Sequence, residues 1–174
     1  METMREIEVK FLEIDSEKII EKLKSLGAKK SFEGNIEAIY FDTSRKELKK
    51  RGVILRLRRR GDISELTLKK WMSAANAKVM EEKESKVEDF QEVRNILHNL
   101  GYREIVKRRK YRTTYRLGDI SFELDKITDL PHYLEIEAPS IERIRYAVNL
   151  LGLSMEDSKP WSEGDLRRHY RNKK

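Results

Sequence analysis

Hydrophobic residues along the chain follow two different periods. Three segments, 15–26, 87–100 and 140–151, carry apolar residues at helical spacing, and each ends in Leu-Gly, which is typical of a helix C-terminus. The stretches between them alternate with a period of two, which predicts about eight half-buried strands, mostly in hairpin order and therefore antiparallel. Only the segment 71–80 lacks a clear period, and we predict a loop there. The pattern as a whole indicates an α+β protein.

A pair of glutamates in the pattern E-x-E precedes each of the three predicted helices. The pairs are Glu6 and Glu8, Glu82 and Glu84, and Glu135 and Glu137. Residues two apart in a strand share one face, so each pair places two carboxylates side by side. One such pair is ordinary on the wet face of an edge strand, whereas three in equivalent positions form a weak internal repeat.

Nearly every predicted strand is apolar on one face and charged on the other. The charged sets are Glu6, Glu8 and Lys10; Arg56 and Arg58; Lys69; Glu82 and Glu84; Lys107 and Arg109; Glu123 and Asp125; and Glu135 and Glu137. An open sheet would leave these charges in water, while a closed barrel with helices outside would have a charged interior. The barrel requires partners for the charges, because unpaired buried ions are strongly disfavoured.

The two signs of charge come from different parts of the chain. The acids belong to strands near its two ends, and the arginines and lysines belong to strands in the middle. A ligand that joins the two groups would be a polyanion, bound by Arg and Lys on one side and by a carboxylate-held divalent metal on the other. Triphosphate with Mg²⁺ or Mn²⁺ fits this description, since hard cations take carboxylate oxygens and bridge phosphate oxygens.

Composition narrows the classes of protein that remain. The chain has 174 residues, no Cys, and a formal net charge of +7. The length fits one domain, or at most two very small ones. We expect a single domain, 1–174, with a core at about 4–152 and a helical, basic tail at 153–174. The lack of Cys excludes thiolate metal sites and fits a reducing interior, and no apolar run is long enough to span a membrane, so we expect a cytoplasmic protein without a membrane partner.

The positive charge favours anionic partners, either phosphate compounds or RNA. Aromatic residues make up only 8% of the chain and fall mostly at core-like positions, which argues against a surface that stacks single-stranded nucleic acid. A non-catalytic polyanion- or RNA-binding module is therefore the alternative to an enzyme. The sequence is compatible with either a monomer or a homodimer.

The ordered series of motifs resembles the CYTH or triphosphate tunnel metalloenzyme family, which includes class IV adenylyl cyclases and thiamine triphosphatases. The resemblance runs to about residue 152. The motifs are E-x-E-x-K at 6–10, Y-F-D-T at 40–43, "LKKRGVILRLRRR" at 48–60, "LTLKK" at 66–70, E-x-E at 82–84, K-x-R at 107–109 and "LDKITDLPHYLEIE" at 124–137.

This resemblance implies a closed eight-stranded antiparallel tunnel that binds a triphosphate, with Mg²⁺ or Mn²⁺ as cofactor. It implies that metal ligands come from Glu6, Glu8, Asp125, Glu135 and Glu137, and that phosphate is bound by Lys10, Arg56, Arg58, Lys69, Lys107 and Arg109. Tyr40 and Lys69 correspond to a pair that activates water in some members. Glu82, Glu84 and Glu123 are further inward candidates, although a slip of one residue would turn Glu84 and Glu123 outward.

The chain departs from the family pattern at three places. Met80 stands where many members have Arg, "DLP" replaces a Gly-Leu-Gly, and the common C-terminal Ser-Tyr is replaced near 159–162. The resemblance implies either cyclisation of ATP to cyclic AMP and pyrophosphate or hydrolysis of tripolyphosphate, thiamine triphosphate or a nucleoside triphosphate.

Overall fold

The structure is a computed structural model that describes residues 4–73 and 77–173, with the backbone alone for residues 4–6 and 73. Eight strands form a closed antiparallel barrel in which the neighbours run β1, β5, β4, β3, β2, β6, β7, β8. The strands are β1 (Met4–Leu12), β2 (Lys29–Asp42), β3 (Val53–Arg60), β4 (Ile63–Ser73), β5 (Lys78–Val87), β6 (Arg103–Leu117), β7 (Ile120–Lys126) and β8 (Tyr133–Ala138). The predicted fold class, an α+β protein with a closed eight-stranded barrel and helices outside, is confirmed.

The helices begin and end where capping chemistry predicts. They are α1 (Ser16–Ser25), α2 (Glu47–Lys50), α3 (Phe90–Asn99), α4 (Ile141–Leu151) and α5 (Glu163–Arg171), with a short 3-10 helix at Met155–Asp157. The side chains of Asp15, Asp89 and Ser140 accept a hydrogen bond from the backbone N–H three residues on, at the start of α1, α3 and α4. Gly152 ends α4 with φ of 72°, a conformation that glycine adopts without strain.

The residue contacts divide the chain into two compact units. The first unit comprises Met1–Arg5, Gly34–Met72 and Met80–Lys110, and the second comprises Glu6–Glu33, Ser73–Val79 and Tyr111–Lys174. Each unit has its own apolar core.

The core of the second unit lies between the strands and the helices α1 and α4. Alternate residues of β7 and β8 supply one side, including Phe122 and Ile136, and Leu23, Ile144 and Val148 supply the other. All five are fully buried. Because neighbouring residues in a strand point to opposite faces, this packing sends the intervening charged residues to the face away from the helices.

The core of the first unit is built in the same way. Phe41 and Leu57 of the sheet pack with Leu48 of α2 and Leu97 of α3. The turn before α2 is held by the buried Asp42 carboxylate, which accepts hydrogen bonds from the backbone N–H groups of residues 43, 48 and 49 at 2.7–3.0 Å. These bonds overcome the effect of burial and lower the pKa of Asp42.

The predicted loop at 71–80 is mostly wrong. β4 continues through Ser73 and β5 begins at Lys78, and residues 74–76 lie outside the described part of the chain. Trp71 and Met72 are adjacent and are both about half exposed, at 45% and 49%, so the burial there does not alternate. Among the described residues, no helix has both the length and the apolar character needed to cross a bilayer.

Candidate active site

The second unit carries a network of buried charged side chains on the sheet face away from α1 and α4. We call it the acid-rich cluster, and its members are Glu8, Lys10, Lys78, Arg112, Glu123, Asp125 and Glu135. They alternate with core residues on β1, β5, β6, β7 and β8. Among the described residues, these ion pairs join four carboxylates to three cations, so the carboxylates are in the majority.

Lys10 connects two strands of the acid-rich cluster. Its Nζ lies 2.7 Å from Glu8 Oε1 and 2.7 Å from Glu135 Oε2, and Lys78 Nζ approaches the same Glu8 oxygen at 2.8 Å. Burial disfavours the ammonium ion, but Glu135 and Glu8 outweigh it and raise the pKa of Lys10 above its ordinary value. Lys10 therefore holds the two carboxylates close together across β1 and β8.

Arg112 contacts three carboxylates at once. Its Nε and Nη2 donate to the two oxygens of Asp125, both at 2.6 Å, which is the bidentate geometry that suits a guanidinium. It also contacts Glu123, and its Nη2 lies 3.6 Å from Glu135 Oε1. The side chain is about 5% exposed, so this network is shielded from solvent. Burial opposes the charge of Arg112, yet the acids, Asp125 foremost, raise its pKa.

The strand register places like charges opposite each other. Glu8 of β1 is the partner of Glu137 on β8, and Glu123 of β7 is the partner of Glu135. Directly opposed like charges destabilise a sheet unless a cation lies between them. Arg112 and Lys10 serve that purpose for Glu123 and Glu135.

The acid-rich cluster has the donor chemistry that a hard divalent cation prefers. It offers carboxylate oxygens in excess of its own cations, and three buried hydroxyl oxygens on the same strands, those of Thr114, Ser121 and Tyr133, have no hydrogen-bond partner among the described residues. No three acidic or His side chains of the described residues converge as a preformed metal site, because Lys and Arg engage the acids. The donor set fits Mg²⁺ or Mn²⁺ entering beside these partners.

The first unit carries a second network, which we call the arginine-rich cluster. Its members are Arg56, Arg58, Arg60, Glu65, Lys69, Glu82 and Glu84. Here four cations face three carboxylates, so the surplus has the opposite sign. Arg58 donates through Nε and Nη2 to one oxygen of Glu65 at 3.1 and 2.8 Å, and Lys69 Nζ lies 2.8 Å from Glu82 Oε2.

Arg56 makes longer contacts with its partners than Arg58 does. Its Nη2 lies 3.3 Å from Thr67 Oγ1 and 3.6 Å from both Glu82 and Glu84. Its Nε is buried and has no hydrogen-bond partner among the described residues. A buried guanidinium N–H without an acceptor is a ready donor for a phosphate oxygen.

The two predicted water-activating residues lie on different strands of the first unit. Tyr40 of β2 is the register partner of Arg56 on β3, and Lys69 of β4 is the partner of Ile54. Strand β3 therefore lies between them, and their register partners, Arg56 and Ile54, are two residues apart on that strand. Lys69 is buried, whereas Tyr40 is partly exposed.

The other inward candidates can be placed individually. Glu8, Lys10, Asp125, Glu135 and Glu123 belong to the acid-rich cluster, and Arg56, Arg58, Lys69, Glu82 and Glu84 belong to the arginine-rich cluster. Glu137 is half-buried and opposite Glu8. The side chain of Glu6 lies outside the described residues.

The placement predicted for Lys107 and Arg109 is wrong. Lys107 is 57% exposed and pairs with Glu104, and Arg109 is 82% exposed and pairs with Glu37. The odd-numbered residues of β6 include the core residue Tyr115, so this phase of the strand faces away from the charged side. The even-numbered residues, which include Arg108, Lys110 and Arg112, occupy the face on which the two residues were expected.

Sequence reasoning also missed Arg112, Lys78 and Glu65. Arg112 and Tyr115 occupy an even and an odd position of β6, so their side chains lie on opposite faces of the strand. The apolar face that Tyr115 marks would therefore have predicted that Arg112 lies on the charged face. Lys78 lies in the segment that was assigned to a loop, and Glu65 lies on the inward face of β4 two residues before Thr67. The acids and bases are thus mixed within each unit, with only the surplus differing.

Each of the three histidines contacts a neighbouring side chain. His98 Nε2 lies 3.0 Å from Glu104 Oε1, and His132 Nδ1 lies 2.9 Å from the Ser16 hydroxyl. His169 packs against Trp161 with ring centroids 4.9 Å apart.

Comparison with solved structures shows the same fold in other proteins. The PH1012 protein of Pyrococcus horikoshii superposes with a TM-score of 0.78 at 27% identity, covering 92% of this chain and 98% of that one. A "putative adenylate cyclase" of Vibrio parahaemolyticus gives 0.81 at 20% identity, with 96% and 99% covered. A Hippeastrum protein, described as a "putative adenylyl cyclase" with a dominant triphosphatase activity, gives 0.66 at 15% identity, with 90% and 91% covered.

Sequence comparison identifies the family. A protein of Methanocaldococcus jannaschii named "Putative adenylate cyclase MJ0240" is 34% identical over 137 residues, which is 77% of each chain. The family model for the CYTH domain matches residues 4–160. The chain belongs to the CYTH family.

Proposed function

We propose that this protein is a divalent-metal-dependent enzyme that binds and processes a triphosphate. The observation that carries the proposal is the opposite surplus of charge in two buried networks, carboxylates in the acid-rich cluster and arginine and lysine in the arginine-rich cluster. Carboxylates suit the counter-cation of a polyphosphate, and arginine and lysine suit its phosphate oxygens. The names of the related proteins support the same class of chemistry.

The acid-rich cluster would hold the metal. Glu8, Asp125, Glu135 and Glu137, together with Glu6, supply the carboxylates for Mg²⁺ or Mn²⁺. When bound, the cation polarises phosphoryl oxygens and offsets the negative charge of the substrate. Lys10 and Arg112 would hold Glu8, Asp125 and Glu135 in position, because both cations lie between these acids at 2.6–2.7 Å.

The arginine-rich cluster would bind the phosphate chain. Arg56 contributes the unpartnered Nε donor, and Arg58 and Lys69 lie on the same buried network. Such donors stabilise the charge that builds on the leaving phosphate as the P–O bond breaks. Their existing partners, Glu65, Glu82 and Glu84, hold the side chains in position before substrate arrives.

The same charged groups serve two reactions. In hydrolysis, water attacks phosphorus, the bond to the bridging oxygen breaks, and phosphate and a diphosphate product leave; Tyr40 and Lys69 are the candidates to orient that water. In cyclisation, the ribose 3′-hydroxyl attacks the α-phosphorus of ATP, and pyrophosphate leaves. The identity of the product decides between them.

The direct test incubates the protein separately with ATP and with tripolyphosphate, with Mg²⁺ or Mn²⁺, and identifies the products by chromatography. We expect turnover that EDTA abolishes. Cyclic AMP and pyrophosphate from ATP would establish a cyclase, and inorganic phosphate from tripolyphosphate would establish a hydrolase.

The carboxylate variants separate an enzyme from a binding module. Glu137→Gln is expected to abolish turnover with the fold retained, and Glu142→Gln, an exposed residue on α4, is the matched control. A polyanion- or RNA-binding module predicts the contrary: no turnover by the wild-type protein, and salt-dependent binding that tolerates Glu137→Gln, since it depends on Lys and Arg.

A further inference from the structure

Three hydroxyl groups of the second unit are buried without a hydrogen-bond partner among the described residues. They are Thr114 Oγ1, Ser121 Oγ and Tyr133 OH, and the three residues are 1%, 6% and 1% exposed. A buried hydroxyl that lacks a partner is destabilising, and native proteins rarely leave one unsatisfied. Three of them in one charged network call for a ligand.

The register of the sheet gives each hydroxyl the same kind of neighbour. Thr114 on β6 is the partner of Glu123 on β7, Ser121 is the partner of Glu137 on β8, and Tyr133 is the partner of Asp125. Each hydroxyl thus stands beside a carboxylate on the next strand without hydrogen-bonding to it. A small polar molecule that bridges hydroxyl and carboxylate satisfies both.

We propose that Thr114, Ser121 and Tyr133 bind the water ligands of a hydrated divalent cation, so that the acid-rich cluster holds the ion largely through its water shell. This inference rests on the proposed function, which supplies the metal. Mg²⁺ dehydrates reluctantly and keeps several waters in protein sites, and each of those waters has hydrogen-bond donors to give. The hydroxyl oxygens accept them while the hydroxyl protons turn to the carboxylates.

The charges of the network explain why the shell is needed. Lys10 and Arg112 already occupy oxygens of Glu8, Asp125 and Glu135, which limits the oxygens that reach the ion directly. A hydrated ion can use the remaining lone pairs at longer range.

The experiment measures Mn²⁺ binding in the absence of substrate, by electron paramagnetic resonance of the free ion, for the wild type and for Thr114→Val, Ser121→Ala and Tyr133→Phe. We expect each variant to bind Mn²⁺ about tenfold more weakly, the size of effect seen when an outer-shell partner of a metal is removed. Thr113→Val is the matched control, because Thr113 is the neighbouring residue on the opposite face of β6. Its affinity should stay within about twofold of the wild type.

A second readout is thermal unfolding in the presence of a chelator. Because the hydroxyls have no hydrogen-bond partner in the described part of the chain, removing one should leave the midpoint of metal-free unfolding unchanged or raise it, while the rise produced by Mn²⁺ becomes smaller. A lower metal-free midpoint in all three variants would show that the hydroxyls bond to protein groups, and would overturn the inference. Water-proton relaxation of the wild type gives a third check that needs no variant: bound Mn²⁺ should retain several water ligands, and an ion stripped of water overturns the inference.

The outcomes separate this inference from the function on which it rests. If the wild type binds Mn²⁺ and the three hydroxyl variants bind it equally well, the inference is overturned and the metal-dependent function stands. If the wild type binds no Mn²⁺ with or without tripolyphosphate, the metal requirement itself fails, and the inference fails with it.

Discussion

The acid-rich and arginine-rich clusters use the same construction for opposite purposes. In both, charged residues alternate with core residues along antiparallel strands, and ion pairs cross from strand to strand. In the acid-rich cluster the cations are buried between the acids, and the side chains of Arg112 and Lys10 are 5% and 3% exposed. In the arginine-rich cluster Arg56 and Arg58 are more open, and the Arg56 Nε has no hydrogen-bond partner among the described residues. The cations of the first network are thus enclosed by acids, whereas one arginine of the second keeps a hydrogen-bond donor that the described part of the chain does not engage.

Removing Arg112 is the strongest way to break this comparison. Arg112→Ala leaves Glu123, Asp125 and Glu135 without their shared cation, and loss of one partner from a buried ion network destabilises by about 3–5 kcal/mol. Urea denaturation measures the free energy of unfolding. Arg116→Ala, on the same face of β6 but exposed, is the control and should change it by less than about 0.5 kcal/mol. A loss under about 1 kcal/mol for Arg112→Ala would mean that the network is not held by this residue.

Arg56→Ala tests the opposite role in the arginine-rich cluster. We expect kcat/KM for the triphosphate substrate to fall about 100-fold, because a donor to the transferring group is lost. Stability should fall by only about 1 kcal/mol, since the contacts of Arg56 with Glu82 and Glu84 are long, at 3.6 Å. Arg45→Ala, exposed in the turn before α2, is the control for both measurements. A loss of stability without a loss of activity would mean that Arg56, like Arg112, holds its network together and does not bind substrate.

A pH titration compares these clusters with the ion pair between Arg94 of α3 and Glu104 of β6. Arg94, assisted by Lys107 and His98, lowers the pKa of Glu104 from 4.5 to about 2. A depressed carboxyl pKa stabilises the fold above the ordinary value, and that stability is lost as the pH falls from about 4.5 through about 2. Glu104→Gln should therefore flatten the dependence of stability on pH in that window and lower the free energy of unfolding at pH 7 by about 1 kcal/mol. An unchanged acid slope would contradict the assignment.

Substitutions on the exposed phase of β6 are expected to have the smallest effect on kcat/KM. Lys107→Ala and Arg109→Ala should leave kcat/KM within about twofold of the wild type, because both side chains are exposed and lie on the outward phase of the strand. Arg108→Ala, on the alternate phase, is the matched variant that should lower it. A larger loss from Arg109→Ala than from Arg108→Ala would restore the original placement.

Local chemistry made most of the fold predictable. The caps at Asp15 and Ser140 and the glycine at 152 place helix ends to within a residue, because each supplies a bond or a conformation that a helix terminus requires. The charged faces of β1, β7 and β8 were also predictable. Their apolar residues keep strict alternation, since one side of each strand packs against helices.

Strand β6 could not be placed by its charges alone. The run "VKRRKYR" has a cation at every position from 107 to 110, so K-x-R spacing fits one phase and R-x-K the other. Only the buried Tyr115 further along selects the phase. The pairing of Lys10 with Glu135 was beyond the sequence as well, because it depends on which strand lies beside β1.

The backbone of Lys10 exchanges two hydrogen bonds with Lys159, at 2.9 and 2.8 Å, and β1 pairs with β8 along its other edge. Strand β1 thus meets both of these neighbours only after the strands from β2 to β7 have been synthesised. Contacts so distant along the chain are slow to form. The edge of nascent β1 that receives β8 therefore stays open until β8 has been made, although β5 is synthesised earlier. A chaperone that shields this edge, or a slower ribosome, should change the yield of folded protein more than its final stability.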